Sequence, residues 1–215
     1  MNKPNTIIFI GPQGSGKGTQ AKILAEKLGA EYIEMGALLR HTAAEDSDFG
    51  REVKSIIESG NLVNDDIWYK VIRQKLETLD AKTPVIFDGS PRRIGQAHML
   101  VDHLKSIGRE KIDTLYITLP REESVRRLML RRVCEKCKTP TIANGDPAQV
   151  CAVCGGKLIR RTDDNEAAIN QRLAAYEQDT VPVLDYLKEV TALHQIDGIP
   201  EVPNVTVEID KELGI

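Results

Sequence analysis

The residues with the most chemical content stand near the start of the chain. Gly11-Pro-Gln-Gly14-Ser15-Gly16-Lys17-Gly18-Thr19 follows a short apolar run, Thr6 to Ile10, and precedes a segment of helical spacing. Glycines let backbone N–H groups curl around phosphate oxygens, a helix N-terminus adds positive potential, and Lys17 can reach the outer phosphates. The chemistry this predicts is the binding of a nucleotide polyphosphate. The general P-loop pattern places Ser or Thr directly after the lysine, whereas here Gly18 holds that place and Thr19 comes one later. Asp88, at the end of the apolar run Val85-Ile86-Phe87, is where a carboxylate can hold a water on Mg²⁺ bridging the phosphates.

Arginines form the second group. Arg121, Arg126, Arg127, Arg131 and Arg132 crowd one segment, and Arg160 and Arg161 follow in another. Phosphoryl transfer spreads charge over several oxygens and is catalysed mostly by positioning and electrostatic stabilisation, which arginines supply without proton exchange. Arg127 and Arg131 are four apart, so they are expected on one helix face, able to address one phosphate group together. The competing reading is a solvated face on which Glu123 and Arg127 form an ordinary i,i+4 pair.

The third group is Cys134-Glu-Lys-Cys137 and Cys151-Ala-Val-Cys154, with thirteen residues between the pairs. Two CxxC knuckles bring four thiolates into a tetrahedral set suited to Zn²⁺. Four thiolates leave no open position, so the predicted role is structural.

These groups need a scaffold that delivers them to one place. The expected elements are strands at Thr6–Ile10, Glu31–Ile33, Val85–Phe87, Ile112–Leu119 and Ala192–Ile196. Between them fall helices near 17–28, 37–44, 49–58 (stopped by Gly60), 66–79 (capped by Asn64 or Asp65), 95–107, an Arg-rich helix after Pro120, and one from Asp164 to Lys188. Asp163 and Glu166, three apart, read as a capping box for the last of these. Strands alternating with helices indicate an α/β fold, a five-stranded parallel sheet flanked by helices. From Val133 to Asp164 no helical period survives, which marks an inserted lobe.

The chain has 215 residues, 41% of them apolar but only nine aromatic, so the core is expected to be aliphatic. With 29 basic and 32 acidic residues the formal charge is −3, which argues against bulk binding to nucleic acid. The apolar run at the start is too short for a signal segment or a membrane span, and the expectation is a cytoplasmic protein without membrane or nucleic-acid partners. His41, His98, His103 and His194 lack ligand spacing and read as surface or helix-packing residues.

Seven ordered blocks carry a resemblance over nearly the whole chain: GPQGSGKGTQ (11–20), GALLR (36–40), SGNLVNDD (59–66), DGSPRRIGQA (88–97), RLMLRRV (127–133), RRTDD (160–164) and QRLAAYEQDT (171–180). Together they resemble the adenylate kinases of the nucleoside monophosphate kinase family. The resemblance implies reversible transfer from Mg-ATP to AMP by a monomer that handles ATP, AMP and ADP. It also implies a core of 1–33, 64–129 and 165–215, a helical monophosphate-binding lobe at 34–63 and a zinc-ribbon-like lid at 130–164. By this likeness Gly14, Ser15, Gly16, Lys17, Gly18, Thr19 and Arg131 hold the ATP phosphates, and the loop Asp197-Gly-Ile-Pro200 lines its adenine. Arg40, Arg92, Arg161 and Arg172 clamp the monophosphate and the transferring group, with Lys17, Arg127 and Arg131 joining the catalytic set. Met35, Gly89, Gln96 and the Asn61-Leu62-Val63 backbone face the acceptor.

Several positions depart from the family pattern. Gln13 stands where Pro is usual, Ser90 where an aromatic is usual, and Pro140 and Thr141 where a lid Tyr often packs on the ATP base. Met35 replaces a common Thr at a position that helps separate adenine from pyrimidine acceptors. A UMP/CMP or other nucleoside monophosphate kinase therefore stands as the alternative, and a P-loop module whose zinc ribbon grips nucleic acid is a further one.

Overall fold

The computed structural model describes residues 6–58, 63–143, 150–161 and 164–215. The first strand, β1 (Thr6–Ile10), is buried along its whole length and is followed by α1 (Lys17–Leu28). Next come β2 (Glu31–Glu34), α2 (Met35–Ala43), α3 (Asp48–Glu58), α4 (Asp65–Glu77), β3 (Val85–Asp88), α5 (Ile94–Ser106), β4 (Ile112–Thr118) and α6 (Arg121–Leu130). Three short strands follow, β5 (Arg131–Cys134), β6 (Pro140–Ile142) and β7 (Leu158–Ile159). The chain then returns through α7 (Glu166–Ala175), a π-helical turn (Tyr176–Thr180), α8 (Val181–Val190), β8 (Ala192–Asp197) and α9 (Val202–Leu213).

The main sheet has the order β2-β3-β1-β4-β8, and every pairing in it is parallel. Strands buried on both faces read as unbroken apolar runs, and β1 shows why. Ile8 and Ile10 join a core with Trp68, Ile72, Leu100 and Val183 from α4, α5 and α8, while Ile7 and Phe9 join another with Leu24, Val205 and Ile209 from α1 and α9. The core is largely aliphatic, as the composition implied. Among the described residues, no helix is long and apolar enough to cross a membrane.

The lid segment forms a separate antiparallel sheet, β6-β5-β7. Its first strand begins at Arg131, so α6 ends one residue earlier and Arg127 and Arg131 do not share a helix face. The chain turns extended there (φ −64°, ψ 137°), which redirects Arg131 away from the α6 stripe.

Two further expectations are corrected. The cap of α7 is Asn165, whose side chain accepts from Ala168 N, while Asp163 lies outside the described residues, as does Gly60. The helix expected to reach Lys188 is interrupted at Tyr176–Thr180. Pro182 has no N–H and its ring would strike the carbonyl four residues back, so the widened turn ahead of it relieves the clash. Sequence reasoning missed helix α9, although Val202, Val205, Ile209 and Leu213 have helical spacing, with Pro203 in the first turn and Gly214 at the end. It covers the sheet face that α1 alone leaves open.

Leu100 is fully buried in α5, whereas Val207 on α9 is 67% exposed. Leu100→Ala is expected to cost about 2–5 kcal/mol and Val207→Ala no more than about 0.5 kcal/mol, both read from urea unfolding midpoints.

Candidate active site

The site lies where the strand order reverses, at the carboxyl ends of β1 and β3, the usual place for ligands in open α/β sheets. Parallel register sets Phe9 beside Asp88, so the loops that leave the two strands emerge together. In the first loop Gly14 (φ 88°) and Gly16 (φ 87°) take left-handed conformations that side chains resist. Ser15 N bonds to Pro12 O at 3.2 Å, and Gly16 caps α1. Lys17, the first residue of α1, donates to Pro12 O at 3.2 Å.

Gly18 departs from the general P-loop pattern for a steric reason. A Cβ at this position would stand 2.9 Å from Asp88 Oδ2. Asp88 Oδ2 accepts from the Tyr32 hydroxyl at 2.7 Å, while its Oδ1 is buried with no hydrogen-bond partner among the described residues. Burial pushes the Lys17 ammonium below its ordinary pKa; Asp88 opposes that shift and Arg92 and Arg131 add to it. Lys17 and Arg92 also line one small cavity together with Gln13, Gly89 and Tyr176.

The loop after β3 is braced at several points. Arg92 Nε donates to Gly89 O at 2.9 Å, Arg92 N to Gln96 Oε1 at 2.9 Å, and Thr180 Oγ1 on the π turn to Arg92 O at 3.1 Å. Gln96 also donates to Asp65 Oδ1 at 2.9 Å, so both ends of its amide are engaged here. The indole N–H of Trp68 donates to Ser90 Oγ at 3.0 Å, which puts a large ring beside the position where an aromatic was expected. Met35 is buried in the α4/α5 core cluster, and Val63 O accepts from Arg93 at 3.3 Å. Arg40 is exposed, 3.6 Å from Glu34. Asn61 and Leu62 lie outside the described residues.

Arg127 donates to Gly198 O and Ile199 O, both at 2.8 Å, and pairs with Glu123 at 2.7 Å. It thus ties α6 to the loop before Pro200, and a Cβ on Gly198 would meet Thr118 O at 2.6 Å in the same crowded spot. Thr19 sits on the first turn of α1, and Arg161 is exposed at the end of the lid segment.

Sequence reasoning missed the carboxylate that gathers two of the expected arginines. Asp164, with its side chain fully buried, accepts from Arg131 Nε at 2.7 Å and Nη2 at 2.6 Å, and from Arg172 Nη2 at 2.9 Å. Burial pushes the carboxyl up, but bonds and charge from Arg131 and Arg172 outweigh it and hold the group below its ordinary value of 3.8. The available signal was an acidic residue shortly after Arg160 and Arg161, which the sequence marks only as the start of the helix that Asp163 is expected to cap.

In the lid, the Sγ atoms of Cys134, Cys137, Cys151 and Cys154 all lie within 4.8 Å of one another, and no disulfide joins them. Cys134–Cys154 and Cys137–Cys151 are separated by 3.5 and 3.6 Å. Tetrahedral zinc with bonds near 2.3 Å needs sulfur edges of about 3.8 Å, so the donor set fits a zinc ion.

A phosphate-binding loop, a carboxylate at the adjoining strand end and converging arginines define a P-loop phosphotransferase. The adenylate kinase family model matches residues 9–192. Among curated proteins, the chain is 40% identical over 212 residues to an adenylate kinase of Methanothrix thermoacetophila, covering 97% of this chain and 98% of that one. It is 34% identical to an adenylate kinase of Archaeoglobus fulgidus over 95% of both chains, and 36% identical to one of Thermosipho melanesiensis over 94% of this chain and 96% of that one. The chain belongs to the adenylate kinase family, and its activity is ATP:AMP phosphoryl transfer.

A depressed carboxyl pKa stabilises the fold above the unfolded value and loses that contribution as pH falls through the folded one. Stability from Asp164 is therefore present above about pH 4 and lost on further acidification. Asp164→Ala leaves two half-buried guanidinium groups without their anion and is expected to cost about 3–5 kcal/mol at pH 7. Urea unfolding across pH 2.5–7 should show a shallower acid limb in the variant than in the parent.

Proposed function

We propose that one chain carries out the whole reaction by closing two lobes, 34–63 and 130–164, over a core that holds both nucleotides. The observation that carries this reading is the gathering of Lys17, Asp88 and Arg92 at the ends of β1 and β3, with Arg131 and Arg172 on one buried carboxylate. Gly14, Ser15, Gly16, Lys17, Gly18 and Thr19 cradle the ATP phosphates through backbone N–H groups, and Arg131 reaches them from the lid side. The Gly198–Pro200 loop, held by Arg127, lines the adenine. Arg40, Arg92, Arg161 and Arg172 hold the AMP phosphate and the group in flight.

An oxygen of the AMP phosphate attacks the γ-phosphorus of ATP, the bond to the β,γ-bridging oxygen breaks, and two ADP result. The attacking oxygen is already ionised at neutral pH, so no side chain is needed as a general base. Mg²⁺ accompanying ATP would neutralise charge on the β- and γ-phosphates. Asp88 suits one of its waters, because a buried carboxylate oxygen without a partner needs a strong donor. Water is the rival acceptor, and lobe closure would both exclude it and bring the arginines together.

Gln96, Met35, Gly89 and Val63 are the described residues assigned to the acceptor side, with Met35 packed in the core behind it. Coupled turnover with Mg-ATP against AMP, CMP, UMP and GMP should give a rate with AMP at least tenfold above the others. A pyrimidine acceptor as fast as AMP would show that Met35 has widened the site.

Zinc on the four cysteines serves the lid as a structural ion, since a fully occupied tetrahedral site has no position left for phosphate. Cys151→Ser should lower bound zinc below one equivalent and shift an early, lid-localised phase of hydrogen exchange. Protection of the β1 and β3 amides should stay as in the parent. Full zinc retention with unchanged exchange would contradict the assignment.

A further inference from the structure

We infer that Tyr32 is a positioning residue for phosphoryl transfer: its hydroxyl fixes one oxygen of Asp88, so that the other is offered to the water shell of the nucleotide's divalent cation. This rests on the reading of Asp88 as the anchor of that shell. A carboxylate can turn about its last torsion, and each of its two oxygens is an equivalent acceptor until something distinguishes them. Here the two differ. Oδ2 takes the Tyr32 hydroxyl at 2.7 Å and is also approached by α1, where a Cβ on residue 18 would come within 2.9 Å. Oδ1 is buried and has no hydrogen-bond partner among the described residues. A buried acceptor left unsatisfied costs about 1–3 kcal/mol, more when charged, and a metal-bound water is a donor able to relieve it.

The scaffold supports this division. Tyr32 is on β2, paired in register with Ile86, and Glu34 is paired with Asp88, so the phenol runs along the sheet edge to reach the carboxylate. Lys22 lies 5.7 Å from the Tyr32 ring centroid, a cation over its face. Burial and the neighbouring Asp88 push the Tyr32 phenol above its ordinary value, so it remains a proton donor wherever the enzyme is folded and neutral. Gly18 belongs to the same arrangement, because a side chain there would displace the oxygen that Tyr32 holds.

The test uses Mn²⁺ as the probe, titrated into the full chain with a non-hydrolysable ATP analogue and followed by electron paramagnetic resonance. Tyr32→Phe keeps the ring and its packing and removes only the hydroxyl. It is expected to weaken Mn²⁺ in the ternary complex by roughly three- to tenfold, within the range of a typical net hydrogen-bond contribution. Analogue affinity in EDTA should be unchanged, and kcat should fall with KM for AMP retained. Asp88→Asn should lose Mn²⁺ affinity at least as strongly, and Tyr32→Phe added to Asp88→Asn should produce no further loss. If Asp88→Asn binds Mn²⁺ like the parent, the anchor reading itself fails. If Asp88→Asn loses affinity while Tyr32→Phe does not, or if the two losses add in the double variant, the positioning role of Tyr32 is overturned and the anchor stands.

Discussion

Parallel pairing of β1 with β3 sets Phe9 opposite Asp88, and the chemistry depends on that register. A strand shifted by one residue would turn its entire apolar set to the other face. Here that would bury Ile7 and Phe9 against α4 and α5 and pull Ile8 and Ile10 from the core they fill. Packing on both faces therefore locks the register. The register in turn brings the phosphate-binding loop and the Asp88–Arg92 loop out of the sheet side by side. Lys17, Asp88 and Arg92 meet because two hydrophobic faces leave the strands no other alignment.

Around that point the chain must store positive charge without collapsing onto itself or repelling its own parts. It does so by giving each arginine an acceptor within the protein. Asp164 takes Arg131 and Arg172 together, while Arg127 is engaged by the carbonyls of Gly198 and Ile199 and by Glu123. A buried carboxylate shared by two guanidiniums is favourable only while both are present, because burial of the charge is offset by their hydrogen bonds. The same pairing holds the ends of the lid segment, Arg131 and Asp164, against α7.

The lid meets a different physical problem. Strands of four, three and two residues have little apolar surface to bury, and several of their side chains are exposed. Segments this small fold with help from cross-links or metals. Four cysteine sulfurs within 4.8 Å of one another form a donor set compatible with a structural zinc ion, whose binding free energy would act as folding free energy. Such a small sheet would then need little of the core's hydrophobic support.

Much of this was legible in the sequence because it rests on local rules. The Gly-rich turn between an apolar strand and a helix, the all-apolar Val85–Phe87 run ending in Asp88, the Asn64 cap and the paired CxxC knuckles each declare themselves within a few residues. What the sequence could not declare depends on partners distant along the chain. The reach of Arg131 to Asp164 and the Trp68–Ser90 bond are contacts across 33 and 22 residues, and the bend that takes Arg131 out of α6 goes with the first of them, set by packing rather than by spacing. The departure at Gly18 shows the division most plainly. The sequence by itself determined that a phosphate-binding loop is present and that Gly replaces its usual hydroxyl residue. Only the tertiary structure decided why, by bringing Asp88 from β3, held by Tyr32 from β2, into the space a side chain would need.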